Sequence, residues 1–321
     1  MKVDLGICFD SFEPHRFSSK AIMSAQRDPI TERQGDDRRR STFEDTQSAV
    51  AARGGDDRRL SGDRRGNPLT RWRRIWLGGL QVVVTDRDDA AKVMVDQALQ
   101  RKGLWRFPVY VTSTNGEVAY RCATDDAQKD LFTQADAIHA DGMPHVFASH
   151  LVSDTPLPER VATTDLFHDV AIEASARGAT MYMLGATDEV NRLAVSAVRR
   201  QYPDLAIVGA RHGYFTGPDD EIAACDTIAA LRPDILWVSM GVPHEQKFVL
   251  RHRQRLASVG VIKTSGGLFD FLAGRNPRAP MWMQKVGLEW LWRVMIEPRR
   301  LGWRYIKTNP LAIYLLLRNP R

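Results

Sequence analysis

The chain has 321 residues, a formal net charge of +6, a pI near 9.3 and 43% hydrophobic residues, enough for one large domain or two small ones. That charge admits an anionic partner but is too small for this length to argue for nucleic acid. No apolar run approaches the ~18 residues of a spanning helix, and Cys8, Cys122 and Cys225 are too widely spaced for a disulfide framework or a metal site, which suits a reducing cytosol.

The N-terminal MKVDLGICFDSFEPHRF interrupts its apolar residues with Asp and Glu and is not expected to be a signal peptide. Residues 1–73 repeat a GDDRR-like unit at Arg33–Ser41 and Arg53–Gly66 and carry few large apolar side chains. Such a segment cannot bury enough surface to offset its ordering entropy, so a disordered, mixed-charge tail is expected. From Trp76 the pattern changes. Leu80–Thr85 reads as a strand, and the run from Asp88 as a helix capped by Asp and stopped at Gly103. A strand over 105–113, a helix over 127–134 and a short strand over 137–140 follow. Next come a helix over 164–177 with Thr164 as cap and Gly178 beyond its end, strand 180–184 and helix 189–201. Strand 205–210, helix 219–231, strand 234–240, helix 245–255 and strand 259–263 complete the alternation. Strands alternating with helices of this length predict an α/β fold, a Rossmann-like, doubly wound parallel sheet over 74–280. Ligands of such sheets bind at the carboxyl ends of the strands.

Those ends carry Ser113-Thr114-Asn115-Gly116, Asp141-Gly142, Gly185-Ala186-Thr187, Gly209 to Tyr214, Gly241-Val242-Pro243 and Ser265-Gly266-Gly267. Glycine makes tight turns, and it also lets backbone N–H groups approach a phosphate. Several such turns on one edge favour a nucleotide site, yet none fits the dinucleotide fingerprint or the P-loop. Asp141 closes a strand of buried character. A carboxylate there can take a proton from a sugar hydroxyl, and an Asp in a turn can equally bond its own backbone. Asp86-Arg87-Asp88 matches a D-x-D metal signature but directly precedes a helix, where Asp caps and offsets the dipole. The cap is the reading adopted. The eight His show no ligand spacing, so no metal is assigned.

Six ordered blocks carry a resemblance: ADGMP (140–144), LPERVATTDLF (157–167), YPDLAIVGARHGYF (202–215), GVPHEQKF (241–248), GGLFDFLAGRNPRAP (266–280) and EWLWRVMIEPRRLGWRYI (289–306). Together they resemble the WecG/TagA/CpsF glycosyltransferases (glycosyltransferase family 26) from about Trp76 to Ile306. The resemblance implies an inverting, metal-independent enzyme with no cofactor. Such an enzyme moves a sugar from a UDP-sugar to a polyprenyl-diphosphate-linked saccharide in exopolysaccharide or other cell-surface polysaccharide synthesis. Carried onto this sequence, Asp141 becomes the catalytic base and Asn115 an active-site residue. Either Ser113 or Thr112 supplies a hydroxyl, and Arg160 matches the P-E-R-V arginine. Gln246 matches more loosely, because Glu245 precedes it where the family writes Gln then Glu. Gly185, Tyr214, Gly241, Gly266 and Gly267 fall on the UDP-sugar side.

In the C-terminal segment Met283, Val286, Trp290, Leu291 and Val294 share one helical face, and the chain turns basic and aromatic after Pro298. Trp, Tyr and Arg beside the apolar LAIYLLL suit a membrane surface better than nucleic acid. Residues 281–321 are therefore expected to be an amphipathic appendage. The resemblance implies that it brings arginine to the acceptor diphosphate, with Arg293, Arg299, Arg300 and Arg304 as candidates and Arg293 and Arg300 the first choices. The expected location is the cytoplasmic face of the membrane, held peripherally. Homo-oligomerisation stays open. Two rival readings are another nucleotide-dependent α/β enzyme such as an oxidoreductase, separable by binding NAD rather than UDP, and a basic membrane or nucleic-acid adaptor in which Asp141 has no part.

Overall fold

The computed structural model describes Leu69, residues 72–296 and residues 298–318, all within one unit, Asp63–Arg321. Most of the tail expected over 1–73 lies outside the described residues. Its last part belongs to the fold: Leu69 is buried in the core, and Trp72 sets its ring edge-on against His139 and donates to Asp89 Oδ2.

β1 (Arg74–Leu77) and β2 (Leu80–Val83) form an antiparallel hairpin. Its two-residue turn, Gly78-Gly79, has φ of 58° and 79°, a conformation that side chains resist and that matches strand twist. The Leu80 strand therefore does not join the parallel sheet, as the alternation had implied. α1 (Arg87–Gln100) leads to β3 (Val109–Thr114), which starts only after Pro108, with Trp105 and Phe107 left exposed in the preceding loop. α2 (Gly116–Thr124), α3 (Asp126–Thr133), β4 (Ala137–Ala140), α4 (Met143–Val152), α5 (Thr163–Arg177), β5 (Thr180–Gly185), α6 (Asp188–Gln201) and β6 (Ala206–Arg211) follow. α7 (Pro218–Leu231), β7 (Ile235–Ser239), α8 (His244–His252), β8 (Val261–Thr264) and α9 (Leu268–Leu272) close the core.

Six strands lie parallel in the order β4-β3-β8-β7-β5-β6. Alternation along each strand feeds two cores. Val111, Met183, Trp237 and Val261 meet α1, α5, α6 and α9 on one face, while Tyr110, Leu184, Leu236 and Ile262 meet α2, α3, α7 and α8 on the other. Helices on both faces make the sheet doubly wound, as the sequence pattern predicts. Because every strand is parallel, all six carboxyl ends line one edge.

The C-terminal part forms α10 (Met281–Lys285), α11 (Glu289–Ile296), a π-helical turn (Pro298–Gly302) and α12 (Trp303–Leu317). It packs on the β4 side of the sheet. A Cβ at Gly287 would lie 3.1 Å from Met143 Cβ, and one at Gly116 would lie 3.5 Å from Ala312 Cβ. Among the described residues no helix is long and apolar enough to cross a membrane.

Candidate active site

Asp141 follows β4, and its backbone N–H is held by Thr114 O at 2.8 Å. Its Oδ2 accepts from the Thr163 backbone N–H at 3.2 Å. This corrects the cap expected at Thr164. α5 begins one residue earlier, after Ala162, with no side-chain cap of its own. The carboxylate of Asp141 takes up one of the N–H groups that a helix start leaves free, and so sits on the positive end of α5. The Thr163 hydroxyl is instead 3.1 Å from Ser113 Oγ, which also accepts from Lys263 Nζ at 2.8 Å.

Ser113 and Thr112 point to opposite faces, as neighbours in a strand must. Ser113 joins the Asp141 group. Thr112 is buried and accepts from Thr264 Oγ1 at 2.7 Å and from Gln246 Nε2 at 3.5 Å. Gln246 is buried with it, and its Oε1 finds no hydrogen-bond partner among the described residues. Thr112 and Gln246 thus meet each other rather than Asp141. Glu245, also buried, accepts from the Gly266 N–H at 2.9 Å and the Met240 N–H at 3.3 Å, tying the ends of β8 and β7 together. Asn115 is exposed and caps α2 by accepting from the Val118 N–H at 3.1 Å. A Cβ at Gly142 would come within 3.9 Å of Asn115 Cβ, so the two strand ends adjoin.

On the far side Gly185 has φ of 142°, and a Cβ there would lie 2.2 Å from Ser239 O, so no other residue fits. Ala186 follows in the left-handed region with φ of 55°, a strained state for a residue with a side chain. Asn191 holds this turn by donating to Gly185 O at 3.0 Å and Arg211 O at 2.9 Å. Gly241 and Gly266 are also left-handed, Gly267 opens α9, and Tyr214 is exposed beyond β6. A groove of about 670 Å³ beside the edge strand β6 involves Arg192 and Arg211, each paired to an Asp, and lies across the sheet from Asp141.

Arg160 faces the C-terminal helices. It donates through Nη1 to Glu289 Oε2 and through Nη2 to Gln284 Oε1, both at 2.7 Å, and lies 3.5 Å from Asp165. Arg278 donates to Asp165 and to the same Gln284 oxygen. Arg293 lies 3.6 Å from Glu289 and over the Phe271 ring. Arg299 is exposed in the π-helical turn. The side chains of Arg300 and Arg304 lie outside the described residues. The D-x-D resolves into a cap: Asp86 accepts from the Asp89 N–H at 2.8 Å, and Asp88 pairs with Lys92 on the surface.

Burial pushes the Asp141 carboxyl up, opposed by the Thr163 hydrogen bonds and then by the charges of Lys263 and Arg293. Burial likewise pushes Lys263 down to about 8, opposed by Asp141 and Glu245. His139 and His145, both buried without hydrogen-bond partners among the described residues, are held neutral by burial, down to about 3 and about 4. The arrangement offers a carboxylate that can accept a proton, N–H groups at helix starts, and arginines on the adjoining segment. Lys263, Thr163 and Arg278 were not singled out from the sequence. Thr163 alone left a signal, lying beside the expected helix start.

The family model for the WecG/TagA/CpsF glycosyl transferases matches residues 75–321. A relative from Staphylococcus aureus (strain MRSA252), named N-acetylglucosaminyldiphosphoundecaprenol N-acetyl-beta-D-mannosaminyltransferase, is 29% identical over 213 residues, 66% of this chain and 81% of its own. A relative of the same name from Bacillus subtilis (strain 168) is 29% identical over 209 residues, 64% and 77% of the two chains.

Proposed function

This chain belongs to the WecG/TagA/CpsF family of glycosyl transferases, and on that premise we propose that it moves a sugar from a UDP-sugar to a polyprenyl-diphosphate-linked saccharide, inverting the anomeric centre without a metal. Asp141 takes the proton of the acceptor hydroxyl as the oxygen attacks C1. The bond from C1 to the diphosphate breaks, and UDP leaves with the electron pair. The charge that develops on the leaving diphosphate is met by arginine and by backbone N–H groups of the strand-end turns around Gly185 and Gly241, the Gly266 N–H being held by Glu245. Arg293 is the first candidate for the acceptor's own diphosphate, with Arg299, Arg300 and Arg304 behind it on the same segment. The observation that carries this reading is the Asp141 carboxylate, set on the N-terminus of α5 with an arginine-bearing segment packed against its edge.

Met281, Trp282, Val286, Met295 and Ile296 are exposed on that segment, with Phe147 and Leu151 exposed on α4. We take this apolar surface to rest on the cytoplasmic membrane face, where the acceptor's diphosphate is held by its lipid. The relatives' names favour an N-acetylhexosamine as the first sugar to try, and cell-surface polysaccharide synthesis as the setting.

A panel of UDP-sugars, read first by thermal stabilisation and then by UDP release with a short-chain polyprenyl-diphosphate acceptor, tests the reading. At about 100 times its Kd a true donor adds ~2.7 kcal/mol. Asp141→Asn is expected to lower turnover by roughly 10²–10⁴ while donor affinity stays close to wild type. Near-normal turnover in the folded variant would reduce Asp141 to a turn residue.

A further inference from the structure

A lysine lies buried beneath Asp141. Lys263 stands on β8, in the interior of the sheet, with no exposed surface, where an uncompensated ammonium is costly. Its hydrogen bonds go to neutral oxygens, Ser113 Oγ at 2.8 Å and Thr264 O at 2.9 Å. An ammonium only donates, so the Ser113 hydroxyl accepts from it and has its own proton free to send onward. The acceptor in reach is Thr163 Oγ1 at 3.1 Å. The Thr163 hydroxyl proton is then free to turn to Asp141, to which the Thr163 backbone N–H donates at 3.2 Å. With Ser113 donating to Thr163, the links run in one direction, from cation towards carboxylate, and such chains strengthen as each bond polarises the next.

We propose that Lys263, acting through Ser113 and Thr163, holds Asp141 as an ionised carboxylate ready to take the acceptor's proton. Lys263 is thus a positioning residue for the base and does not touch the substrate. The proposal rests on the reading of Asp141 as base, and supplies what that reading lacks, since a carboxyl raised by burial is a poor base unless a charge holds it ionised. Other groups face the same pair. Arg293 on α11 and Arg278 before α10 act on Asp141, while Glu245 on α8 and His139 on β4 face Lys263. Both arginines are partly exposed and already paired to carboxylates, Arg293 with Glu289 and Arg278 with Asp165. Lys263 is the fully buried cation of the three.

The test uses the full chain with ¹³C-carboxyl-labelled aspartate, the Asp141 signal being identified by its loss in Asp141→Asn. Lys263→Met keeps the volume and removes the charge. Its Asp141 signal is expected to titrate at higher pH than in wild type. Thr163→Val leaves the lysine charged but breaks the relay. It is expected to move the signal the same way, and it carries the test should Lys263→Met fail to fold. In turnover of UDP-N-acetylmannosamine with a short-chain polyprenyl-diphosphate N-acetylglucosamine, the variant-to-wild-type ratio of kcat/KM should climb about tenfold or more from the acid to the alkaline end. An Asp141 signal that titrates alike in wild type and both variants makes Lys263 a structural lysine and overturns the proposal, whatever the rates do. Full turnover by Asp141→Asn overturns the base reading instead, and leaves the titration to judge the coupling.

Discussion

Arg160 joins the sheet core to the C-terminal helices, so removing it should loosen that joint before it loosens the fold. Arg160→Ala deletes two charge-assisted hydrogen bonds of 2.7 Å, to Glu289 and Gln284, and leaves Glu289 with Arg293 at 3.6 Å and the charge of Arg278. The Arg160 and Glu289 side chains are 14% and 20% exposed, so water recovers part of the loss without cancelling it. Bonds of this kind contribute about 1.5–3 kcal/mol each when intact. Gln284 keeps its bond from Arg278, so a net cost of about 2 kcal/mol to docking of the segment is reasonable, with about 1–2 kcal/mol shared with Glu289 in a double-mutant cycle. The first figure is about a thirtyfold rise in the open population. Amide hydrogen exchange over residues 281–317 reads that opening directly. The sheet amides should keep their protection, and the Arg160→Ala/Glu289→Ala double variant should open little more than the worse single one. Unchanged exchange in that segment, or fully additive effects, would refute the tie.

Other expected outcomes follow from single contacts. Asp86→Ala should cost about 1 kcal/mol of stability, the loss of a helix cap, with turnover unchanged in EDTA, whereas loss on chelation restored by Mg²⁺ would revive the D-x-D as a metal site. Cys122 and Cys225 are buried, which pushes both thiols up to about 12, so they are almost wholly protonated near neutral pH and should escape alkylation in the native chain. Mass-spectrometric detection of either adduct before unfolding would contradict the packing. Gly185→Ala places a methyl 2.2 Å from Ser239 O. It should destabilise by about 3 kcal/mol or more, read by chemical denaturation, and a near-neutral result would mean that the turn after β5 is not packed on Ser239 as described.

The six parallel strands were legible because each is a largely apolar run with a Gly or Asp close after it, and the ends line one edge because the alternation with helices forces a parallel sheet. α2 and α4 were hidden by their own caps. Asn115 and Gly142 read as turn residues, although Asn115 followed by Gly116-Glu117-Val118 is also a helix start, and Pro144 in the first turn of α4 is another. β1 was lost in the arginines of the tail, and only the Gly78-Gly79 pair between two apolar runs marked it. Lys263 left no such signal. In VGVIK it reads as the polar end of a strand, and its burial depends on a serine 150 positions away. The Arg160–Glu289 contact likewise joins residues 129 apart. Periodicity reports neighbours along an element, and these are neighbours across the sheet edge.

The strand order constrains how one substrate can use both ends of this edge. Asp141 follows β4 at the margin of the sheet, while Gly185 ends β5, with β3, β8 and β7 between them. Four strand spacings are roughly 19 Å, more than one sugar ring can bridge. The proposed UDP-sugar, if its base lies at the β5–β6 end and its C1 reaches Asp141, must therefore run across the β7 and β8 ends. There the chain turns on Gly241 and Gly266, both left-handed and side-chain-free, with Glu245 holding the Gly266 and Met240 N–H groups from below. The lipid-linked acceptor proposed above would meet a different boundary. The α10–α12 segment packs on the β4 side, beside α4 and the start of α2, so an acceptor held at that apolar surface reaches Asp141 from outside the sheet. On the proposed reaction the acceptor oxygen and the leaving diphosphate would then lie on opposite sides of C1, which is what an inverting displacement requires.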